Sequence, residues 1–280
     1  MTSTGHRRGR AWIITPGLRT DRFHRAQHAG AAVAVVDIED SVAPADKHSA
    51  RSASEAFFAR PAPCPLGIRM NALTTLDGIK DLAALAAYTA RPDLVVVPKT
   101  ESARDIELVA ATLDADGYIP DIWALIESPR AFDALPAILR APRLGGVLFG
   151  SADYAATVRC GLDWESRRYV RSALINAASA AGVPAIDAPT WDLDDPDVLR
   201  TDAQRARDMG FHGKGCVHPR HVAVINDVFT PTAEEIAQAR ALVSAADASG
   251  GTVTTVNGQM RGTPFFDAAR TLLAETDETP

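Results

Sequence analysis

The sequence contains few cysteines. Only Cys64, Cys160 and Cys216 occur in 280 residues, and they lie far apart without a CxxC pair. An odd, dispersed set of thiols argues against a disulfide framework or a cysteine-based zinc cluster. We therefore expect a protein of a reducing compartment, the cytoplasm.

The sequence also lacks long apolar runs and an excess of positive charge. No run has the length of a membrane helix, and the apolar residues 11–14 are too few for the core of a signal peptide. Lys and Arg number 29 against 35 Asp and Glu, a formal net charge of −6. Nucleic-acid binding generally needs a basic surface, so we expect neither nucleic acid nor a membrane as a partner. A local basic patch could still bind an anionic small ligand.

Short apolar runs alternate with longer amphipathic segments along the chain, in which 46% of the residues are hydrophobic. Apolar runs without polar alternation are typical of strands buried on both faces. The eight runs are 12–14, 33–36, 66–68, 94–97, 122–126, 146–149, 183–186 and 215–217. The predicted helices between them are 19–29, 45–60, 76–89, 102–113, 130–139, 166–181 and 196–209. This order predicts an α/β protein with a (β/α)8 TIM barrel.

The predicted organisation has three parts. Residues 1–10 are expected to be a flexible tail, residues 11–230 the barrel, and residues 231–280 a helical C-terminal extension. Within the extension we predict helices near 232–247 and 264–275, and a small hairpin or extended arm at 250–258. The extension could be a lid over one barrel end or an arm that packs on a neighbouring subunit.

Polar residues follow most of the apolar runs. In this fold the carboxyl ends of the strands form the active site, and charges there must find partners. These residues are Asp37, Glu39, Asp40, Arg69, Lys99, Glu127, Asp153, Asp187 and His218.

Glu127 and Asp153 follow adjacent predicted strands, so their carboxylates can converge on one point. Two carboxylates with water and substrate oxygens suit Mg²⁺ or Mn²⁺, which prefer oxygen ligands. The alternative is that arginines and backbone amides satisfy both carboxylates. The polar surroundings favour the metal site.

Arg69 can grip a carboxylate with its guanidinium fork and so orient a 2-oxo or hydroxy acid beside the metal. The alternative, a salt bridge to Asp37 or Glu39, is compatible with that role before substrate arrives. We also assign Lys99 to substrate binding.

A second basic group lies nearer the N-terminus. Arg19, Arg22 and Arg25 recur every three residues and, with Lys47, could bind a phosphorylated ligand, although a solvated helix face is the simpler interpretation. His218 could be a base or a structural hydrogen-bonding residue.

Several motifs, in order along nearly the whole chain, resemble the citrate lyase β-subunit-like family of the HpcH/HpaI aldolase superfamily. They are Thr15-Pro16-Gly17-x-Arg19, the segment 37–47, Ile68-Arg69-Met70-Asn71, the segment 97–102, Leu125-Ile126-Glu127-Ser128, the segment 149–154 and the segment 213–219. No single motif is decisive, but the ordered set is specific.

The resemblance implies a Mg²⁺-dependent barrel, or one using Mn²⁺, that makes or breaks a C–C bond between a thioester-bearing acyl group and a 2-oxo acid. It carries the metal ligands over to Glu127 and Asp153, and the substrate-binding arginine to Arg69. It implies acyl-CoA and 2-oxo-acid ligands, with an acyl-carrier-protein thioester as a variant. It also implies a homotrimer or hexamer whose C-terminal segment reaches a neighbour.

Two departures leave the substrate open. Ala152 stands where the family often has an acid, and Asp187-Ala188-Pro189-Thr190-Trp191 replaces a family pattern of glycine and an aromatic after the aspartate. We expect a C–C lyase acting on malyl-, citramalyl- or citryl-CoA, with Asp37 or Glu39 as the base. The alternatives are an acyl-CoA thioesterase, a class II pyruvate aldolase and a non-catalytic binding paralogue.

Overall fold

The computed structural model describes residues 10–114 and 117–277. Residues 1–9 of the predicted N-terminal tail, 1–10, lie outside the described residues. The chain divides into two compact units, residues 1–229 and 230–280. Within the described residues, no helix is both long and apolar enough to cross a membrane.

The first unit is a closed barrel of parallel strands paired in chain order, with the eighth strand returning to the first. The strands are β1 Ala11–Pro16, β2 Val33–Asp37, β3 Leu66–Arg69, β4 Leu94–Val97, β5 Asp121–Ile126, β6 Leu144–Phe149, β7 Ala185–Asp187 and β8 Gly213–Cys216. The predicted (β/α)8 barrel is therefore confirmed. Strand 7 begins only after Pro184, which lacks the N–H that a ladder needs.

Helices surround the barrel. They are α1 Phe23–Gln27, α2 Lys47–Phe58, α3 Leu76–Ala87, α4 Ala103–Leu113, α5 Pro129–Asp133, α6 Leu135–Ile138, α7 Ser151–Val158, α8 Trp164–Ala181, α9 Pro196–Met209 and α10 Pro219–Phe229. The helix predicted at 130–139 is divided at Ala134, where Pro136 lies at the start of α6. The sequence does not predict α7 or α10, because residues 151–153 resemble the polar end of strand 6 and α10 directly follows His218, the expected end of strand 8.

The inside of the barrel is filled by large side chains. Trp12 and Trp123 lie with ring centroids 4.5 Å apart, within a buried cluster of aliphatic residues from the other strands. Gly146 belongs to this layer, because a Cβ there would collide with the Trp123 ring. The interior is therefore a packed core and not a ligand cavity.

The second unit consists of two helices and a hairpin. Helix α11 Ala233–Ala248 begins with a capping box in which Thr232 and Glu235 bond each other's backbone N–H groups. Strands β9 Thr254–Val256 and β10 Gln259–Arg261 pair antiparallel, and α12 Thr263–Asp277 follows. The sequence predicts a hairpin or arm at 250–258; β9 and the turn lie in that segment, and β10 lies just beyond it.

Candidate active site

The two expected metal ligands come from β5 and from the turn after β6. Glu127 directly follows β5, whereas Asp153 lies in the first turn of α7 and not at a strand end as predicted from the sequence. Asp153 is near enough for its charge to act on Glu127. The helix therefore supplies the second carboxylate beside the first.

Glu127 is buried, with 2% of its surface exposed, and only one of its oxygens is bonded. Oε1 accepts the backbone N–H of Lys99 at 2.7 Å, and Oε2 has no hydrogen-bond partner in the described structure. Burial, with the charges of Glu39 and Asp153, raises the pKa of Glu127 to about 8, although the N–H and ammonium of Lys99 act in the opposite direction. A buried carboxylate oxygen without a partner is suited to a cation.

Gly150 provides the space that Glu127 occupies. A Cβ at Gly150 would collide with the Cβ and Oε2 atoms of Glu127. Its N–H donates to the carbonyl of Ile126 at 2.9 Å, which fixes the turn between β6 and α7 against β5. Oε2 of Glu127 therefore lies against the backbone of Gly150, where a side chain would leave no space for it.

Arg69, at the end of β3, forms a two-pronged pair with Asp37 at the end of β2. Arg69 Nε donates to Oδ1 and Nη2 to Oδ2 of Asp37, each at 2.7 Å. Arg69 Nη1 lies 3.0 Å from Glu39 Oε2, an ion pair without hydrogen-bond alignment. The salt bridge considered from the sequence is therefore present, and it fixes the plane of the guanidinium.

The structure separates the two carboxylates considered as the base. Both oxygens of Asp37 are occupied, by Arg69 and by the N–H groups of Glu39 and Ser41. Burial opposes its charge, but Arg69 and these hydrogen bonds lower the pKa of Asp37 below its usual value. Burial raises the pKa of Glu39, and its Oε2 accepts no hydrogen bond within the described residues. Glu39 is the better proton acceptor of the two.

Lys99 connects Glu127 with the group formed by Arg69, Asp37 and Glu39. Its Nζ bonds Glu39 Oε1 directly and lies 3.8 Å from Asp40. The ammonium is therefore engaged by carboxylates rather than free, with its side chain 42% exposed. Burial disfavours the charge, but Glu39 and its neighbours outweigh this and raise the pKa of Lys99, so the ammonium stays protonated.

The other basic residues do not form one patch. Arg19 is exposed and paired with Asp21 at 2.9 Å, and Lys47 Nζ donates to the carbonyls of Ile38 and Glu39 at 3.1 and 2.7 Å. Lys47 thus holds the turn after β2. Its ammonium is already bonded to backbone oxygen.

Arg22 and Arg25 instead approach His218 after β8. Burial lowers the pKa of His218, and Arg220, His221, Arg25 and Arg22 add positive charge around it. His218 is therefore neutral near pH 7 and borders a positive part of the rim.

Asp187, at the end of β7, belongs to a separate buried network. Its oxygens accept from Arg171 Nε at 2.7 Å and Lys214 Nζ at 2.8 Å. Lys214 Nζ also lies 2.8 Å from Asp202 and donates to the carbonyl of Ala188 at 2.7 Å. The cations fully engage Asp187, so its role is to anchor the loop after β7.

The residues of the rim fit a hard divalent cation. Two cationic side chains, Arg69 and Lys99, lie among a larger number of carboxyl groups, so carboxyl groups outnumber cations at the rim. These carboxyl groups are Asp37, Glu39, Asp40, Glu127 and Asp153. No three His, Cys, Asp or Glu side chains in the described ranges are arranged to hold a metal. Two carboxylates suit Mg²⁺, which usually keeps several water molecules and substrate oxygens in its shell.

Comparisons with known proteins identify the family of this chain. The model of the HpcH/HpaI aldolase/citrate lyase family matches residues 10–219, so the chain belongs to that family. The citrate lyase subunit beta-like protein of Mycobacterium tuberculosis is 33% identical over 279 residues, covering 96% of each chain. The (3S)-malyl-CoA thioesterase of Cereibacter sphaeroides is 30% identical, covering 96% of this chain and 94% of its own.

A solved structure extends the comparison. The CitE protein of Mycobacterium tuberculosis, crystallised with magnesium, acetoacetate and coenzyme A, superimposes with a TM-score of 0.84 at 31% identity. The match covers 98% of this chain and 100% of that one. The resemblance stated from the motifs is therefore confirmed at the level of the family and the fold.

Two features of the site escaped the sequence analysis. Lys99 was assigned to substrate binding by its side chain, but its backbone N–H also holds Glu127. Its φ of 50° has no sequence signal, because Lys is an ordinary residue for a strand end. Gly150 was quoted only as part of a motif, and its contact with Glu127 is visible only in three dimensions.

Proposed function

We propose that this protein is a Mg²⁺-dependent carbon–carbon lyase. It cleaves, or in reverse forms, a 3-hydroxyacyl-CoA thioester such as malyl-, citramalyl- or citryl-CoA, giving a 2-oxo acid and an acyl-CoA. The observation that carries the proposal is the buried Oε2 of Glu127, which has no hydrogen-bond partner in the described structure, at the same rim as Asp153 and the Arg69 fork.

The relatives support both ligands. The similar CitE structure holds magnesium, acetoacetate and coenzyme A, and another CitE structure from Mycobacterium tuberculosis, 32% identical, holds oxaloacetate and magnesium. In this chain Glu127 and Asp153 would hold the ion. When bound, Mg²⁺ supplies Lewis acidity and a template for the oxygens of the acid.

The residues of this chain have separate tasks in cleavage. Arg69 binds the substrate carboxylate with the guanidinium edge at Nη1, while Asp37 holds the opposite edge, and so fixes the orientation of the carbinol carbon. Glu39 then accepts the proton of the 3-hydroxyl group. Its raised pKa suits it for this better than Asp37.

The bond changes balance without a further reagent. As the hydroxyl proton moves to Glu39, the bond between the carbinol carbon and the α-carbon of the thioester breaks. The carbinol carbon becomes the carbonyl of the 2-oxo acid, and the electron pair enters the thioester as an enolate. Glu39 returns its proton to the α-carbon, which gives the shortened acyl-CoA.

The thioester contacts are the second part of the proposal. Arg22 and Arg25 near His218 form the basic part of the rim that suits CoA phosphates, and we retain Arg19 and Lys47 as lesser candidates because each is paired. Isothermal titration with free CoA and acetyl-CoA tests this contact. If neither binds, an acyl-carrier-protein thioester replaces CoA in the proposal.

A second candidate is an acyl-CoA thioesterase on the same site, because one similar protein carries the name (3S)-malyl-CoA thioesterase. The first experiment therefore incubates the protein with Mg²⁺ and malyl-, citramalyl- and citryl-CoA, and follows all products by mass spectrometry. A 2-oxo acid with a shortened acyl-CoA, abolished by EDTA and by Glu127→Ala, supports the lyase. Free CoA with an intact hydroxy acid supports the thioesterase.

The remaining alternatives have their own signatures. Turnover of free aldehydes with pyruvate would indicate a class II pyruvate aldolase, and tight ligand binding without turnover a binding paralogue. We also propose a homotrimer or hexamer in which the extension 231–280 packs on a neighbouring subunit. Analytical ultracentrifugation of the full chain and of residues 1–230 tests this assembly.

A further inference from the structure

Lys99 has a backbone conformation that is unusual for a residue with a side chain. Its φ of 50° lies in the left-handed region, at the end of β4 where the chain leaves the barrel. In this conformation its N–H donates to Glu127 Oε1 at 2.7 Å, while its Nζ bonds Glu39 Oε1. One residue thus holds two carboxyl groups through two different chemical groups.

Glu39 is held from both sides. Lys99 Nζ contacts Oε1, and Arg69 Nη1 lies 3.0 Å from Oε2. Glu39 is buried, with 4% of its surface exposed, and its charge acts directly on Glu127. Glu39 therefore lies close to Glu127 and Asp153, but its two ion pairs keep its carboxylate from turning toward the point on which those two converge.

A third carboxylate near two others is a natural ligand for a hard cation, and each added charge strengthens cation binding. Yet no set of three potential ligands is arranged for a metal within residues 10–114 and 117–277. The ion pairs of Glu39 provide the physical reason, because turning it toward Glu127 would break both.

We propose that Lys99 is a positioning residue that keeps Glu39 out of the coordination shell of the metal bound by Glu127 and Asp153. This inference rests on the proposed metal pair. It explains how coordination positions stay open for the oxygens of the acid. It also explains how Glu39, which is close to the metal site, remains available as a proton acceptor.

The variants Lys99→Gly and Lys99→Met both remove the ammonium. Lys99→Gly retains the N–H and adopts positive φ without strain, whereas Lys99→Met retains the side-chain length. Lys99→Arg keeps the charge and is the conservative control. Thermal unfolding confirms that each variant is folded before it is titrated.

The measurement is Mn²⁺ binding in the absence of substrate. Electron paramagnetic resonance gives the affinity, and the relaxation of water protons reports the water molecules on the bound ion. We expect Lys99→Gly and Lys99→Met to bind Mn²⁺ about tenfold more tightly, since the shell gains a carboxylate and loses a nearby positive charge. The bound ion should lose a water molecule, and turnover should fall. Lys99→Arg, which keeps the positive charge beside Glu39, should bind Mn²⁺ with the wild-type affinity.

Adding Glu39→Gln to Lys99→Gly should abolish the gain in Mn²⁺ affinity, because the extra ligand is then neutral. If the wild type binds Mn²⁺ and both uncharged variants bind it equally or more weakly, the inference is overturned and the proposed function stands. If the wild type binds no Mn²⁺, both are overturned.

Discussion

Arg69 and Asp37 face each other across neighbouring strands with two parallel 2.7 Å hydrogen bonds, so the orientation of the guanidinium is set before any ligand arrives. Both residues lie at the ends of β3 and β2, whose register pairs them directly. The remaining edge of the fork, at Nη1, is the one that reaches Glu39. A substrate carboxylate would therefore compete with Glu39 for Arg69.

Replacing Asp37 with Asn should raise KM for the hydroxyacyl substrate roughly 10- to 100-fold, since one misaligned charge-assisted hydrogen bond is worth about 1.5–3 kcal/mol. If Asp37 only orients Arg69, kcat should change little. Steady-state kinetics of Asp37→Asn and Glu39→Gln provide the check, with a loss of kcat expected for Glu39→Gln. A loss of kcat in Asp37→Asn with little change in Glu39→Gln would instead make Asp37 the base.

Glu127→Gln and Asp153→Asn should each weaken Mg²⁺ and Mn²⁺ binding by about 100-fold or more, because each removes one of only two proposed carboxylate ligands. Glu101→Gln is the matched control. Glu101 is a nearby carboxylate bonded to Ser128 at 2.7 Å, and it is not one of the proposed ligands. Titration calorimetry measures the affinities, and equal weakening by Glu101→Gln would argue against a specific pair.

Metal affinity should depend on pH in a defined direction. The pKa of Glu127 in the metal-free protein is raised to about 8, so below that pH the carboxyl is mostly protonated and must release its proton to bind a cation. Affinity for Mn²⁺ should therefore rise between pH 6 and 8, by up to about tenfold per pH unit, and then level off. Calorimetry in buffers of different ionisation enthalpy should detect about one proton released per ion near pH 7. A flat profile would show that the metal-free protein does not hold Glu127 protonated in this pH range.

Gly150→Ala should displace Glu127, because the new methyl group collides with the Cβ and Oε2 atoms of that residue. We expect a loss of metal affinity together with about 1–3 kcal/mol of destabilisation. Gly145→Ala, on β6, is the matched control, because its Cβ would approach Trp123 Nε1 at 3.2 Å, the Ile122 carbonyl oxygen at 3.4 Å and the Asp121 Cβ at 3.5 Å without the close collision found at Gly150. Unchanged Mn²⁺ binding in Gly150→Ala would show that the free oxygen of Glu127 is not a ligand.

Asp187→Asn should destabilise the barrel by about 3–5 kcal/mol at neutral pH, because it leaves buried Lys214 and Arg171 without their shared counter-ion. Burial opposes the charge, but these two cations lower the pKa of Asp187 in the folded protein. Its contribution is thus fully present above the unfolded pKa of about 3.9 and disappears as the pH falls through the folded value.

Urea unfolding from pH 7 down to about pH 2, below the unfolded pKa of an aspartate, measures this effect. The difference between the wild type and Asp187→Asn should narrow at the acidic end. A difference that stays constant would assign the loss to packing and not to charge.

The sequence by itself determined the barrel, the strand order and the identity of the rim residues. Uninterrupted apolar runs of strand length, most of them followed by a charged or titratable residue, are compatible with few folds other than a parallel barrel. Glu127, Asp153 and Arg69 could be named because strand ends in this fold meet at one face. The element boundaries are approximate in the sequence, where Pro136 accounts for the division of one helix and Pro184 for the late start of strand β7.

Only the tertiary structure decided which hydrogen-bond and ion-pair partners each of those residues has. Asp37 and Glu39 are two residues apart and chemically alike, yet one is saturated by Arg69 and backbone N–H groups while the other retains an oxygen that accepts no hydrogen bond within the described residues. Nor does any local pattern place Asp153 on a helix or Lys99 at positive φ. Such differences arise from burial and from partners distant in sequence, and these are set only when the strands close into a barrel.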